Sequence, residues 1–136
     1  MTSRQRFLEH YGPALRWLPT EDAAAAYRDA SRYDRRDRYG LSPEAVTDIL
    51  RDQVRDNDFE ALRTWMADAT GGVGDVLIVF GAEDICRTTA AFLVAEWENL
   101  LSRNDAIVLS VDSDWVMFCS HKDEFEVGRR VPARAG

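Results

Sequence analysis

The chain has 136 residues, of which 46% are hydrophobic, and a formal net charge of −7. This composition is that of an ordinary globular protein and excludes wholesale disorder. The length predicts a single domain over residues 1–136, with residues 129–136 as a flexible tail. Such an acidic surface disfavours nucleic acid and anionic membranes as partners and favours a protein with a basic surface.

The sequence predicts neither a membrane-spanning helix nor a secretion signal. Its longest apolar run, Ala90–Ala95, is far too short to cross a bilayer, and its N-terminal segment is charged from the start. We therefore expect a cytoplasmic protein. In that reducing compartment Cys86 and Cys119 are expected to be small buried residues and not a disulfide.

The first part of the chain predicts helices. Ser3 can cap a helix that Gly12-Pro13 must kink or split, because proline disrupts a helix interior. Thr20 starts a second helix, with acids in its first turn, that is expected to end near Gly40. Within it the run 28–38 holds five Arg and three Asp, which is typical of a solvated, ion-paired helix face.

Two further helix starts follow in the sequence. Ser42-Pro43 supplies a capping hydroxyl and a proline at the first helical position. The apolar residues after it recur at helical spacing: Val46, Ile49, Leu50 and Val54. Asp58 then caps a short helix. The resulting prediction is an α+β fold whose helical N-terminal two thirds pack on a small mixed or antiparallel C-terminal sheet.

The glycine-rich stretch 70–74 separates the helical part from a β-rich part. The apolar run 76–80 predicts a strand buried on both faces. Residues 84–101 carry apolar positions at helical spacing, and a strand is predicted to begin at Ala106. This order predicts a β-α-β unit with a parallel crossover.

The C-terminal part predicts two hairpins. A three-residue loop at 112–114 would place Leu109 opposite Met117 and Ile107 opposite Cys119, with these apolar side chains on one face. A two-residue loop groups the side chains less well. A second three-residue loop at 121–123 adds Phe125 to the same face. The other face, which includes Val116 and Phe118, is either covered by the N-terminal helices or partly open to a partner.

Signals for catalysis and for metal binding are weak. The two histidines, His10 and His121, belong to no nucleophile or zinc motif. Asp112-Ser113-Asp114 begins like a calcium loop, but apolar residues follow where further oxygen ligands are required. We therefore expect no catalytic residue, no metal site and no cofactor.

The acidic turns of the C-terminal part are the predicted contact surface for a partner. Residues 71–127 carry a net charge of −8. The predicted partner-binding residues are five acids and two candidate aromatic anchors: Asp112, Asp114, Asp123, Glu124, Glu126, Trp115 and Phe118. Two other interpretations stay open, because acids on an edge strand also prevent aggregation and keep a protein soluble.

The segment Asp114–Arg130, DWVMFCSHKDEFEVGRR, resembles the C-terminal stretch of small actinobacterial proteins. In size, acidity and lack of catalytic signals the whole chain is similar to the immunity proteins of bacterial toxin systems. That resemblance implies a non-catalytic cytoplasmic protein that binds and neutralises a cognate toxin. The alternatives are a regulatory or adaptor domain that binds another protein, and a small enzyme or small-ligand binder.

Overall fold

The computed structural model describes residues 3–35 and 40–131. Within them the chain forms five helices, one 3₁₀ turn and seven strands. The helices are α1 (Ser3–Tyr11), α2 (Thr20–Ser31), α3 (Phe59–Thr70), α4 (Ala90–Ala95) and α5 (Trp97–Leu100), and the 3₁₀ turn is Gly12–Ala14. The strands are β1 (Arg16–Trp17), β2 (Val46–Gln53), β3 (Asp75–Val79), β4 (Ile85–Thr89), β5 (Ala106–Ser110), β6 (Trp115–Cys119) and β7 (Glu124–Arg130).

The strands of the described residues build one sheet in the order β1-β4-β3-β5-β6-β7-β2, and each neighbouring pair is antiparallel. All residues of the central strands β5 and β6 are buried. A strand buried on both faces needs a continuous apolar run and not an alternating one. The runs 106–109 and 115–119 satisfy this requirement, so the sheet lies between two layers of helix.

The two faces of the sheet pack against different helices. On the first face Leu62 of α3, Leu93 of α4 and Trp97 of α5 form one core with every second side chain of β6. These β6 residues are Trp115, Met117 and Cys119. On the second face Ala23 and Ala30 of α2 pack in a separate core. The strand residues in this second core include Val79, Ile107, Leu109, Val116 and Phe118. The N-terminal helix α2 covers this face in part, and a cavity stays open beside it at one end of the sheet.

The predicted division into a helical N-terminal two thirds and a C-terminal sheet is wrong. The fold is α+β in content, but its strands are spread along the chain, from β1 at Arg16 to β7. The largest error is the helix predicted after Ser42-Pro43, where the structure has β2, an edge strand paired with β7. A bulge between Thr47 and Leu50 interrupts the alternation of this strand, and its apolar residues therefore imitate helical spacing.

The predicted β-α-β unit is also wrong. Residues 84–101 begin as strand β4, which forms a hairpin with β3, and turn helical only at Ala90. The side chain of Thr89 caps α4 by accepting a hydrogen bond from Phe92 N. Because β4 occupies the start of this segment, β3 and β5 become antiparallel neighbours and no parallel crossover forms.

One of the two hairpin registers was predicted correctly. The β6–β7 turn has the expected three residues, with Cys119 opposite Phe125. The β5–β6 turn has four residues, so Leu109 lies opposite Val116 and not Met117. The shift by one residue places Leu109 and Ile107 in the second-face core, away from Met117.

Several local expectations are confirmed. α1 ends before Gly12, and α2 begins at Thr20. Asp58 caps α3 by accepting a hydrogen bond from Ala61 N at 3.0 Å. The second helix, however, ends at Ser31 and not near Gly40, so residues 32–35 of the charged run 28–38 do not belong to a helix face. Residues 36–39 lie outside the described residues.

The C-terminal boundary also differs from the expectation. Arg129 and Arg130, which were assigned to a flexible tail, belong to β7, and residues 132–136 lie outside the described residues. A search of the helices in the described part of the chain finds none that combines the length and the apolar character needed to span a membrane.

Candidate functional site

The antiparallel register brings four acidic segments to one end of the sheet. β2, β3 and β6 finish at this end, and β4, β5 and β7 begin there. The segments are residues 52–58, 80–84, 102–105 and 120–124. We call this end of the sheet the acidic end.

The acidic end carries a net charge of −5 with histidine counted as neutral, because its four segments hold eight acids against three Arg or Lys. The acids are Asp52, Asp56, Asp58, Glu83, Asp84, Asp105, Asp123 and Glu124. Like charges that converge from separate segments repel one another. The repulsion between these carboxylates must therefore be offset, either by a partner or by groups within the chain.

Three of the predicted site residues lie at the opposite end of the sheet, in or next to the β5–β6 turn. Asp112 accepts a hydrogen bond from Asp75 N at 3.3 Å. A hydrogen bond from Arg129 lowers the pKa of the exposed Asp114 below its ordinary value. Trp115 is buried in the first-face core, so in this structure it is a core residue. The predicted set is thus divided between two ends of the sheet.

Two acids of the acidic end hold neighbouring segments together. Asp105 Oδ1 accepts hydrogen bonds from His121 N at 2.8 Å and from His121 Nδ1 at 3.0 Å. In the reverse direction, Asp123 accepts from Ser102 Oγ at 3.1 Å and from Arg103 N at 2.8 Å. This exchange fixes the α5–β5 connection against the β6–β7 turn. Asp123 is therefore a structural residue as much as a surface charge.

Glu126 also has a structural role. Its Oε1 accepts a hydrogen bond from Leu41 N at 2.7 Å, and its Oε2 accepts one from Arg51 Nε at 2.5 Å. A Cβ at Gly40 would lie 3.0 Å from Glu126 Oε1, and Gly40 has a φ of +137°. The close approach of this glycine allows the carboxylate to anchor residues 40–41 on the second face of the sheet.

Other acids at the acidic end remain available to a partner. Glu124, Glu83 and Asp56 are exposed, and their side chains form no hydrogen bond or ion pair with the described part of the chain. Glu124 was predicted from the sequence, whereas Glu83 and Asp56 were not. An exposed, unpaired carboxylate can meet a basic partner without first breaking an internal interaction.

A cavity of about 200 Å³ opens beside the acidic end, between α2 and the ends of β3, β5 and β6; we call it the α2 cavity. Its apolar part includes Val79, Ile107 and Phe118. Its polar part includes Asp34 and Asp105. The cavity thus joins an apolar wall to two carboxylates that come from distant parts of the sequence.

The pKa of Asp34 is raised above its ordinary value, first because the carboxyl is partly removed from water and second because the charge of Asp105 repels its ionised form. Its carboxylate has no hydrogen bond or ion pair with a described residue. A carboxyl with an unfavourable environment and no internal partner, at the edge of a cavity, is a candidate binding group.

A second cavity of about 260 Å³ lies next to the first, and Phe118 contributes to both. Its polar residues include His121, Lys122, Glu124 and Glu126. Of the two predicted aromatic anchors, Phe118 is thus the one beside the acidic end. The residue is 6% exposed, so Phe118 forms a wall of the cavities and does not protrude into solvent.

The described residues include no group of three or more His, Cys, Asp or Glu side chains arranged to hold a metal ion. The cysteines are free and buried. Burial raises the pKa of Cys86 to about 12 and also raises that of Cys119. Both thiols are therefore neutral and protected at ordinary pH, unlike the thiolates of reactive cysteines.

Sequence reasoning missed the α2 cavity because no motif marks Asp34 or Asp105. Asp34 belongs to a charged run that was interpreted as a helix face, and Asp105 precedes β5 as an ordinary loop residue. The only available signal was the acidic excess of residues 71–127, which gives no information on which loops meet.

Comparisons of this chain with protein-family models, with curated proteins and with solved structures found no match.

Proposed function

We propose that this chain is a non-catalytic binding protein that contacts a basic protein through the acidic end of its sheet. The observation that carries the proposal is the convergence of eight carboxylates from four separate segments on one end of the sheet. Solubility alone needs net charge but not its concentration at one end.

The distribution of internal partners supports the same proposal. At the opposite end Asp75 is paired with Arg87 and Asp114 with Arg129, so a large part of the negative charge is compensated within the chain. At the acidic end Asp52 is paired with Arg55, but Glu83 and Glu124 lack such partners among the described residues. A basic partner would supply that compensation and would be attracted from a distance.

The kind of partner that fits best is a toxin with a basic cleft, which this chain would neutralise in the cytoplasm. Enzymes that attack nucleic acid need basic clefts to bind phosphate, and an acidic surface can occupy such a cleft. The resemblance to immunity proteins favours this type of partner over a regulatory one.

A growth assay tests the proposal. The product of the gene next to this one is expressed in bacterial cells with and without this chain. We expect it to stop growth alone and to be neutralised in the presence of the chain. If no neighbouring gene product is toxic, or if toxicity persists when both proteins are soluble and abundant, the inhibitor proposal fails.

Charge-reversal variants locate the contact surface in the same assay. The double variant Glu83→Lys/Glu124→Lys changes the acidic end, and its matched control Glu9→Lys/Asp68→Lys makes the same charge change at exposed positions of α1 and α3. We expect rescue to be lost only in the first variant. Both should fold normally, because exposed charges contribute little to stability. Equal rescue by both would contradict the assignment of the acidic end.

A further inference from the structure

We infer that the α2 cavity receives one arginine side chain of the basic partner; this inference rests on the proposed function and names the group that its binding site would recognise. The cavity combines an apolar wall, a tyrosine ring and two carboxylates in a volume of about 200 Å³. Pockets for drug-sized ligands are larger, at roughly 300–1,000 Å³. The size is therefore suited to a single side chain.

The two carboxylates of the cavity have oxygens that accept no hydrogen bond from a described residue. Asp105 uses Oδ1 to accept from His121, and its Oδ2 has no hydrogen bond with the described residues. Neither oxygen of the Asp34 carboxylate has one. The two groups are close enough for the charge of Asp105 to affect the ionisation of Asp34. A single cation between them would convert this repulsion into two attractive interactions.

The apolar and aromatic surroundings favour arginine over lysine or a small inorganic cation. Tyr27 is 41% exposed and contributes to the cavity together with Ile107 and Phe118. A guanidinium group is planar, presents several donors and stacks on aromatic rings, whereas an ammonium group is a strongly hydrated point charge. The methylene stem of arginine would also cover the apolar wall.

The test is an NMR titration with the capped single amino acid N-acetyl-arginine-methylamide, and with the lysine analogue as a second probe. We expect the arginine probe to shift the signals of the Tyr27 ring and of the Asp34 and Asp105 carboxyls, with millimolar affinity. The apparent pKa of Asp34 should fall when the probe is bound, because the cation favours the ionised carboxylate.

Two variants make the titration specific. Asp34→Asn should weaken the arginine probe about fivefold or more, since it removes one charge-assisted hydrogen bond. Glu83→Gln is the matched control, because it removes one charge from the acidic end without changing a residue of the cavity; its affinity should stay within about twofold of wild type. The lysine probe should bind clearly more weakly than the arginine probe.

Any of three results would overturn the inference: no shifts at the cavity, equal affinity of wild type and Asp34→Asn, or equal affinity for lysine and arginine. A failure here leaves the proposed function standing if the growth assay still depends on Glu83 and Glu124. Failure of the growth assay with intact arginine binding would instead refute the proposed function.

Discussion

Replacement of Gly128 by alanine tests the position of β2, the element that the sequence predicted least well. Gly128 is buried in β7 where the bulge of β2 crosses it. A Cβ at this position would overlap Val46 Cγ1 and would lie 2.9 Å from the carbonyl oxygen of Thr47. The valine side chain can rotate, but the carbonyl cannot move unless β2 moves with it.

The expected cost of Gly128→Ala is that of overpacking a close contact, about 1–3 kcal/mol. We expect the free energy of unfolding of Gly128→Ala, measured in urea, to fall by an amount near the upper end of this range. The reason is that the backbone of β2 must shift. The matched control is Gly81→Ala, since a Cβ at Gly81 meets nothing within 4 Å. The control should stay within about 0.5 kcal/mol of wild type or gain slightly from a less flexible unfolded chain.

Equal stability of Gly128→Ala and wild type would refute this account of β2. It would mean that residues 46–53 do not pack on β7, and the helix predicted from the sequence would again become the better interpretation of this segment. Destabilisation of both variants by the same amount would also contradict it, because only Gly128 faces a neighbouring backbone at close range.

Three other predictions concern the core and its titratable groups. Leu109→Ala should destabilise the protein by about 2–5 kcal/mol in the same urea assay, because Leu109 is buried in the second-face core; a loss below about 1 kcal/mol would contradict this burial. Cys86 and Cys119 should resist a thiol reagent in the native protein and react after unfolding, since burial raises both pKa values; rapid native labelling would show that the core is open. Asp34→Asn should be more stable than wild type at neutral pH, because the pKa of Asp34 is raised in the folded state. Wild type therefore loses stability as the pH rises through that pKa. Below the ordinary aspartate pKa of about 3.9 the stability advantage of the variant should disappear. A pH-independent difference in urea stability would contradict this origin.

The parts of the fold that were predictable from the sequence are those with strong local signals. Asp58 as a helix cap and the break at Gly12 depend on a few adjacent residues. The β6–β7 register was predictable because Phe125 and Val127 must join an apolar face. The β5–β6 register was not, because Ser110 Oγ accepts a hydrogen bond from Ser113 N at 2.9 Å, and the resulting four-residue turn has no clear sequence signature.

The errors share one cause, which is that tertiary pairing overrode local pattern. The spacing of Val46 and Leu50 predicts one face of a helix, yet both lie in an edge strand. Their partners in β7 are Arg130 and Val127, which are 84 and 77 residues away in the sequence. The local sequence of β2 cannot indicate a strand partner so distant in the chain. The candidate site was affected in the same way. The segment 52–58 reaches the acidic end through β2, which the sequence did not predict. The segment 80–84 meets the segment 102–105 there because β3 and β5 are antiparallel, whereas the sequence predicted them to be parallel.

The most direct test of the central claim is the association rate constant with the toxin identified by the growth assay, measured by stopped flow at several salt concentrations. The account predicts that Glu83→Lys/Glu124→Lys slows association by about tenfold at low salt and reduces its salt dependence, because the acidic end attracts the basic partner. The control Glu9→Lys/Asp68→Lys should slow association by less than about twofold. If the two variants associate equally fast, the acidic end does not direct binding and the central claim is wrong.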